Sequence, residues 1–528
     1  MRRRSLLLSG AAWPLAACQP EPVPAPPSRW VGAAHERGHR LRALKSGALP
    51  APAVQRRAGV LVIGGGVAGL SALRTLARSG ADDAQLLELE DTAGGNSRGH
   101  AMGGLRCPLG AHYLPVPGAA ARDVAEWLHE IGLLRSELGR TLPDERHLCH
   151  SPQERLFIDG AWQEGLLPSA EGRPRTLAQY RLFAAAVASA QRELGFALPT
   201  HAAPWTAGHD TLDRQTFAAW LQRQGLDDER LLAHLDYACR DDYGAGLAVV
   251  SAWAGLHYFA SRHGFHAPGD EGGERDAVFT WPEGNAWLVE RLAAPLRERV
   301  HLGQTVLRVT EGRHDVQVLV WNQAAAQAEA WTARSVVLAL PLFIAARVID
   351  TPPAALVAVA QAARYAPWLV ANLQLDSPPL DRPGAPPAWD NLRHAPAGST
   401  SSLGYVDALH QSLRPDTVAT LFTAYHALPE GRRAELLARG AEVWAGEVLA
   451  DLALLHPDLP PRVQRIDLMR YGHAMSIPVP GARGQPALQA LAAPQGRLCF
   501  AHADLAGYSV FEEAFTAGVR AGAGLGRR

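Results

Sequence analysis

The 528-residue sequence predicts an α/β fold built on a parallel sheet. Residues 59–63 form a short apolar run, which is typical of a buried parallel strand. A Gly-x-Gly-x-x-Gly loop follows at residues 64–69, and residues 70–79 have the apolar spacing of an amphipathic helix. A second apolar run at residues 85–89 completes the order strand, glycine loop, helix, strand within about 30 residues. This order indicates a Rossmann-like domain that binds a dinucleotide.

The glycine loop and the start of the helix supply the predicted contacts with phosphate groups. Gly64 permits a tight turn, Gly66 lets the backbone approach a pyrophosphate, and Gly69 lets the helix pack closely on the strand. The helix N-terminus, at Val67 and Ala68, presents free N–H groups and a partial positive charge. We therefore expect all five residues to form the dinucleotide site.

Acidic residues and a second glycine pair follow the second strand. Glu88 and Glu90 both stand about 20 residues beyond the loop, where a carboxylate binds ribose hydroxyls. Gly94-Gly95-Asn96 then lets another loop fold over the same phosphates. This pattern resembles the FAD-dependent amine oxidases and the related phytoene desaturase-like flavoproteins, in which a glutamate precedes Gly-Gly-Arg. The resemblance implies that FAD is the cofactor, that Glu88 binds its ribose, and that Asn96 replaces a family arginine.

The resemblance also implies contacts with FAD from three later parts of the chain. The segment at residues 110–113 is expected beside the flavin ring, the backbone of Val306 against adenine, and Asp504 against the ribityl and phosphate groups. These implied contacts are Gly110, Ala111, His112, Tyr113, Val306, Asp504, Ser509 and Val510.

Because these motifs are far apart in the chain, the resemblance implies two interleaved domains. The FAD-binding domain, a Rossmann-like parallel sheet with a β-meander, is expected at residues 58–115, 276–345 and 497–528. An α+β substrate domain is expected at residues 116–275 and 346–496, with helical apolar spacing mainly in the first stretch and strand-like runs in the second.

Composition and charge argue against several other classes of function. The 51 Lys and Arg residues balance 52 Asp and Glu residues, for a formal net charge of -1. This balance argues against nucleic acid as a partner. The 21 histidines include no pair with metal-ligand spacing and a supporting carboxylate, so no metal is expected.

The candidates for catalysis do not include a lysine, because the single lysine, Lys45, precedes the nucleotide motifs. Amine oxidases of the resembled family often hold a water near the flavin with a lysine, so that part of the family mechanism is expected to be absent. His112, Tyr113 and His473 are the catalytic candidates, since a histidine titrates near neutral pH. A purely structural hydrogen bond is an equal alternative for His112. Further candidates for contact with a small-molecule substrate are Trp389, Asp390, Tyr405, Arg470 and Tyr471.

The N-terminus resembles a signal for export. Residues 2–4 are arginines, an apolar stretch follows, and residues 15–18 (Leu-Ala-Ala-Cys) resemble a bacterial lipobox. Residues 1–18 are therefore expected to be a twin-arginine lipoprotein signal, and the Pro- and Ala-rich residues 19–57 an extended tether. An ordinary signal peptide with an incidental cysteine is the alternative. The expected location is the periplasmic side of a bacterial membrane, with a lipid anchor at Cys18.

Together, these features predict an FAD-dependent oxidoreductase that oxidises an amine or dehydrogenates another small organic substrate. The cofactor would accept a hydride, and oxygen or a quinone-linked pathway would receive the electrons. Two alternatives stay open. One is a carotenoid- or lipid-type desaturase or isomerase with a wide apolar pocket, and the other is a non-catalytic flavin-binding assembly protein.

Overall fold

The computed structural model describes residues 25–45, 49–269, 277–410, 412 and 419–526. The predicted export signal, with Cys18, lies outside these residues. None of the helices in the described ranges has the length and apolar character to cross a membrane.

Most strands of the described residues are short, but four have ten or more residues, and all are numbered in chain order. They are β1 (Ser28–Trp30), β2 (Val54–Ile63), β3 (Gln85–Leu87), β4 (Gly99–Met102), β5 (Leu105–Pro108), β6 (Tyr113–Pro115), β7 (Leu134–Glu137), β8 (Arg140–Pro143), β9 (Glu154–Ile158), β10 (Ala161–Glu164), β11 (Val278–Thr280), β12 (Val300–His301), β13 (Gln304–Glu311), β14 (Val316–Asn322), β15 (Gln327–Leu338), β16 (Tyr365–Leu375), β17 (Asp390–Arg393), β18 (Ser402–Asp407), β19 (Thr420–Ala427), β20 (Val463–Ser476) and β21 (Leu498–Phe500).

The α-helices of the described residues are numbered in the same way. They are α1 (His35–Lys45), α2 (Val67–Arg78), α3 (Arg122–Glu130), α4 (Pro174–Leu194), α5 (Ala207–Asp213), α6 (Phe217–Arg223), α7 (Glu229–Tyr243), α8 (Ala252–Ala260), α9 (Ala286–Ala293), α10 (Leu342–Val348), α11 (Ala354–Ala362), α12 (Arg433–Ala438), α13 (Ala441–Leu455), α14 (Pro486–Ala490) and α15 (Phe511–Gly526).

The first sheet confirms the predicted α/β fold. Its strands β12, β3, β2, β15 and β21 pair with one another in parallel. The long strand β15 also pairs with β14, and β14 with β13, so an antiparallel meander extends the parallel sheet. Residues 60–63 of β2 are buried because both faces of a parallel sheet are covered.

Helices α2 and α15 pack against each other beside this sheet. Gly518 of α15 allows their close approach, since a Cβ atom there would lie 2.1 Å from the carbonyl oxygen of Ala68. The Ser71 hydroxyl donates a hydrogen bond to the carbonyl oxygen of Phe515 at 2.9 Å. The packing therefore fixes the N-terminus of α2 relative to the C-terminal helix.

The second sheet has the strand order β1-β20-β16-β19-β18-β17-β9-β10 within the described residues. Its central strands β16 and β19 are buried along almost their whole length. Helices α4 to α8 pack beside it around an aromatic cluster, in which the Phe183 ring lies 4.9 Å from Phe265 and 5.4 Å from Phe259.

The structure corrects the predicted extended tether at residues 19–57. Within its described residues the segment forms regular elements, because β1 pairs in parallel with β20, α1 follows β1, and β2 begins at Val54. The Arg29 side chain bonds to the buried Asp467, and the backbone N–H of Ala34 donates to Glu90 at 3.1 Å. These partners lie far away in the chain, so the composition of the segment did not reveal them.

Candidate functional site: a dinucleotide cavity and an acidic inner chamber

A cavity of about 440 Å³, which we call the cofactor cavity, lies at the carboxyl ends of the parallel strands. Gly64 follows β2, Glu88 follows β3, Ala339 follows β15, and His502 lies just beyond β21, and all four line the cavity. This is the edge at which open α/β sheets bind their ligands. The predicted contacts that line it are Gly64, Gly66, Val67, Ala68, Glu88, Gly94, Gly95, Asn96, Ala111, Val306, Asp504, Ser509 and Val510.

The start of α2 opens onto this cavity. Gly66 is the N-cap and forms no side-chain cap, so the amides of the first turn have no partner within the helix. A Cβ atom at Gly66 would find only the Cα of Gly95 nearby, at 3.9 Å. Gly64 has a φ of +105°, and Gly69 is packed so closely that a Cβ there would lie 1.8 Å from the carbonyl oxygen of Gly64. The geometry therefore suits phosphate binding at the helix N-terminus.

Glu88, and not Glu90, faces the cofactor cavity. Its carboxylate accepts the backbone N–H of Gly65 at 2.6 Å and that of Glu90 at 2.8 Å. Burial raises the pKa of Glu88, while these two hydrogen bonds act in the opposite direction. The Glu90 carboxylate instead accepts the backbone N–H of Ala34 in the segment before α1. The side chain at the predicted ribose position is thus held in place by backbone groups.

Three buried polar atoms around the cofactor cavity have no partner among the described residues. They are Asn285 Oδ1, Gln304 Oε1 and Thr305 Oγ1. Buried polar atoms are normally satisfied, so these positions fit a polar ligand that spans the cavity. The glycine cradle, the ordered carboxylate and these orphaned acceptors together fit FAD.

Asp504 lies at the other side of the cofactor cavity with a fixed orientation. Its Oδ2 accepts the Tyr365 hydroxyl at 2.6 Å and the backbone N–H of Leu342 at 2.9 Å. Burial acts to raise the pKa of Asp504, but His502 and these hydrogen bonds lower it further than burial raises it. The carboxylate therefore stays charged. Ser509, before α15, accepts a longer hydrogen bond from a backbone N–H of β20.

Asn96 does not recreate the charge of the family arginine. Its side-chain amide donates to the carbonyl oxygen of Ala474 at 2.7 Å. Arg98 does not line the cofactor cavity, because its side chain turns toward the Gly95 carbonyl oxygen and Glu90. The phosphate site thus relies on backbone N–H groups.

Two smaller cavities, of about 150 and 90 Å³, continue from the cofactor cavity, and together we call them the inner chamber. The first shares Ala111, Asn285 and Ser509 with the cofactor cavity. The second shares His112, Tyr113, Asp241, Arg262 and Tyr425 with the first.

Aromatic rings form one wall of the inner chamber. The His112 ring stacks on Tyr425, with centroids 4.4 Å apart, and lies 5.4 Å from Trp389. The hydroxyl of Tyr425 donates to the carbonyl oxygen of Gly110, which fixes this wall to the segment beside the cofactor cavity. Burial lowers the pKa of His112 to about 3, so the imidazole is neutral at physiological pH.

Carboxyl groups also line the inner chamber. Asp241 on α7 accepts the Tyr113 hydroxyl at 3.4 Å, and Asp390 on β17 accepts the Tyr237 hydroxyl at 3.4 Å. Glu154 on β9 is the strand partner of Asp390. Burial, with a smaller contribution from neighbouring charge, raises the pKa of Asp241 to about 7.

Asp390 carries the clearest electrostatic strain in this group. Burial first, and then the charges of Glu154 and Asp241, raise its pKa well above the usual range. The cation in the chamber wall, Arg262, donates to Asp242 at 3.1 Å. Asp241 and Asp390 therefore face the chamber without a committed counter-ion among the described lining residues.

The structure brings some of the predicted substrate-facing residues together and separates others. His112, Tyr113, Trp389, Asp390 and Tyr471 all line the inner chamber. His473 instead lines the cofactor cavity against Phe343, and burial lowers its pKa to about 4. Two of the candidates lie elsewhere: Tyr405 bonds to His456 in the core, and Arg470 donates to the carbonyl oxygen of Leu437.

Sequence reasoning missed Asp241, Glu154 and Asn285. The acidic pair at residues 241–242 sits within an otherwise well-buried helical pattern, which is a detectable anomaly. Nothing in the local sequence distinguishes Glu154 from a surface strand residue. Within the described ranges no group of three His, Cys, Asp or Glu side chains could hold a metal ion.

Comparison with known proteins agrees with this geometry. The model of the flavin containing amine oxidoreductase family matches residues 67–524. No curated protein matches the chain by sequence. The fold resembles that of wild-type putrescine oxidase bound to putrescine, at 17% identity and a TM-score of 0.67, with 90% of this chain and 100% of that chain covered. It also resembles cyclohexylamine oxidase from Brevibacterium oxydans IH-35A, at 16% identity and a TM-score of 0.65, with 89% of this chain and 99% of that chain covered.

The family match covers most of the chain, including the α2 N-terminus, Glu88 and Asp504. The two likenesses at low identity show a shared fold. The protein therefore belongs to the flavin containing amine oxidoreductase family and is an FAD-dependent oxidoreductase.

Proposed function

We propose that the protein oxidises a small amine that binds in the inner chamber as an ammonium ion. The observation that supports this proposal is the group of three carboxyls, Glu154, Asp241 and Asp390, around one small chamber. A bound cation would relieve their mutual repulsion, whereas an anion would add to it. The family match and the amine oxidases of similar fold support the same substrate class.

Asp241 is the proposed proton acceptor in the absence of a lysine. An ammonium group must lose a proton before a hydride can leave the adjacent carbon. A carboxyl group with a pKa of about 7 exchanges protons readily near neutral pH. The hydroxyl of Tyr113 holds this carboxyl in position, while the neutral His112 ring is too weak a base for the step and serves as a wall.

Bound FAD would supply the two-electron acceptor for a hydride from the carbon next to nitrogen. Water would then hydrolyse the resulting iminium to an aldehyde or ketone and an ammonium ion. The chain orients the substrate through the stacked His112 and Tyr425 rings and through the carboxyls. Oxygen or a quinone-linked pathway is the proposed final electron acceptor.

The desaturase alternative is less compatible with this chamber. A carotenoid or lipid substrate requires a long apolar pocket, and burying its chain against Asp241 and Asp390 would leave polar groups unsatisfied. The assembly-protein alternative predicts a bound flavin that no substrate reduces.

Anaerobic mixing of the FAD-loaded protein with candidate substrates distinguishes these functions. Putrescine, cyclohexylamine and benzylamine represent amines, and a carotenoid in detergent represents the alternative. We expect at least one amine to bleach the visible absorbance of the oxidised flavin and the carotenoid to leave it unchanged. Reduction by the carotenoid alone would support the desaturase, and reduction by none would support the assembly protein.

We also propose export by the twin-arginine route and lipid anchoring at Cys18 on the periplasmic side of a bacterial membrane. A folded flavoprotein is compatible with this route because FAD is inserted before export. Changing Cys18→Ala should move the protein from the membrane fraction to the soluble fraction, while Cys149→Ala should leave it membrane-bound. Retention of the Cys18→Ala protein in the membrane fraction would contradict the anchor.

A further inference from the structure

A separate cavity of about 250 Å³, which we call the α15 cavity, lies between α15, α14 and the turn at residues 200–201. Helix α15 contributes Glu513, Thr516 and Arg520 to its wall. It meets the cofactor cavity at His502, which lines both. The oxidation of an amine in the inner chamber makes no use of this space.

Arg483 lines the α15 cavity, and one nitrogen of its guanidinium group is buried and unsatisfied. Its Nε atom is buried and has no hydrogen-bond partner, and the group forms no ion pair with a described residue. The guanidinium instead lies over the rings of Trp205 and Trp253, at 5.3 and 6.0 Å from their centroids. A largely buried cation with unused donors is costly, and a bound anion would remove that cost.

The nearby carboxyls do not satisfy Arg483. Glu513 accepts a backbone N–H at 2.6 Å and the Tyr508 hydroxyl at 3.1 Å, and Asp213 accepts a backbone N–H at 3.0 Å. Both carboxyls favour the charge of Arg483 at longer range. Burial raises the pKa of each of them.

Thr516 of α15 also lines this cavity and carries a second unsatisfied group. Its hydroxyl is buried and has no hydrogen-bond partner, and the residue is only 2% exposed. The exposed Arg520 adds positive charge to the wall, and Leu488 and Leu505 provide apolar surface. A planar guanidinium matches the two oxygens of a carboxylate, and the apolar surface suits a carbon skeleton.

We propose that the α15 cavity binds a small organic carboxylate, whose oxygens pair with the Arg483 guanidinium and the Thr516 hydroxyl. A carboxylate bound in the α15 cavity would also change the electrostatic environment of the cofactor cavity. The link is His502, whose Nδ1 lies 3.2 Å from Oδ1 of Asp504. Carboxylate binding in the α15 cavity does not depend on which reaction takes place in the inner chamber.

Calorimetric titration of the FAD-loaded protein with benzoate tests this site, with uncharged benzamide as the matched ligand. Benzoate should bind saturably. Benzamide should bind at least about tenfold more weakly, because it is uncharged and cannot pair with a guanidinium as an anion. Arg483→Met should weaken benzoate binding about tenfold or more. The affinity of Arg483→Lys should lie between those of the unchanged protein and Arg483→Met, because lysine keeps the charge without the planar donors. Arg181→Met, at an exposed position of α4, is the control that should leave binding unchanged.

Absence of benzoate binding, equal binding of benzoate and benzamide, or unchanged affinity in both Arg483 variants would overturn the proposal. Thermal unfolding without benzoate adds a second criterion. Removing an unpaired buried charge should leave the unfolding temperature of Arg483→Met equal or higher. Benzoate should raise the unfolding temperature of the unchanged protein and of Arg181→Met by more than that of Arg483→Met. A lower unfolding temperature, or failure of Arg483→Met to fold, would indicate a structural arginine and would also overturn the proposal.

Discussion

Among the side chains described in the inner chamber, Asp241 has the pKa that burial brings closest to neutral pH. Exposed on a helix, this carboxyl would be ionised at neutral pH and would be a weak base. Burial raises its pKa to about 7, and the neighbouring Asp242 adds to the shift. The same group can therefore attract an ammonium ion and accept its proton near physiological pH.

The pH dependence of amine binding tests this role. The folded pKa of Asp241 is raised, so the carboxyl gains its negative charge only as the pH increases through about 7. We expect KM for a cationic amine to fall over that interval in the unchanged protein. In Asp241→Asn, the fall should disappear and KM above neutral pH should rise about tenfold, as for the loss of one hydrogen bond to a charged group.

Steady-state kinetics across the pH range provides this measurement. Asp227→Asn, which changes an exposed aspartate, is the control. Because deprotonation of the free amine affects every variant equally, only the difference between the profiles counts. Identical profiles for Asp241→Asn and the control would refute the assignment.

At this scale the sequence identified Glu88 but not Asp241. Glu88 follows a local pattern of strand, loop and spacing, and its role depends on its own neighbours in the chain. Asp241 acquires its role from residues 113, 390 and 154, which reach it only in the folded protein. Burial of a polar residue by distant segments leaves little trace in the local pattern.

Helix α2 shows how a single element combines structural and functional glycines. Gly69 is required by packing, since a Cβ there would lie 1.8 Å from the carbonyl oxygen of Gly64. Gly66 is under no such constraint from the protein, because a Cβ there would meet only the Cα of Gly95 at 3.9 Å. Its lack of a side chain is therefore explained by the ligand, which must approach the helix N-terminus.

Two alanine substitutions in α2 and its cap should therefore have different effects. Gly69→Ala should lower the free energy of unfolding of the apoprotein by about 1–3 kcal/mol, the usual cost of overpacking. Gly66→Ala should leave the apoprotein about as stable but weaken FAD binding about tenfold or more, because its methyl group occupies the approach to the pyrophosphate.

Chemical unfolding of the apoproteins and fluorescence titration with FAD measure the two effects separately. A Gly66→Ala protein that binds FAD as tightly as the unchanged chain would contradict the placement of the pyrophosphate at this helix.

Helix α1 is an element that the sequence failed to predict. The composition of residues 19–57 indicates an extended tether, yet Gly38 and Leu41 of α1 line the cofactor cavity. Arg37 bonds to Asp91, which is 54 positions away. The helix is held by contacts with the nucleotide domain and has little amphipathic pattern of its own, so periodicity could not reveal it.

The whole molecule places the cofactor cavity and the inner chamber between two sheets formed by interleaved parts of the chain. The local motifs predicted the parallel sheet and the cofactor edge, because strand, glycine loop and helix are adjacent in sequence. The inner chamber combines α7, β9, β17 and the segment at residues 110–113. Its composition could not be read from any one segment, which explains why the sequence left the substrate open.

Stability should also depend on pH through buried carboxyls, and Glu512 is the clearest example. Burial raises its folded pKa to about 7, whereas the unfolded chain releases the proton near the ordinary value of 4.5. The stabilising contribution of the protonated group is complete below the unfolded pKa and is lost as the pH rises through the folded pKa. The expected loss is about 3 kcal/mol between those limits.

Glu512→Gln should remove this loss, so the free energy of unfolding should decline less between about pH 5 and pH 8 in the variant than in the unchanged protein. Urea unfolding at both pH values provides the comparison, and Glu130→Gln, at an exposed position, is the control. Equal declines in Glu512→Gln and the unchanged protein would show that Glu512 is not protonated in the folded state.

The most direct test of the central claim is a crystal structure of the FAD-loaded protein with an amine inhibitor that cannot be oxidised. We predict that its ammonium nitrogen lies in the inner chamber, within about 3 Å of a carboxyl oxygen of Asp241 or Asp390. An amine bound outside this chamber, with the carboxyls paired to other protein groups, would contradict the claim that these carboxyls select the substrate.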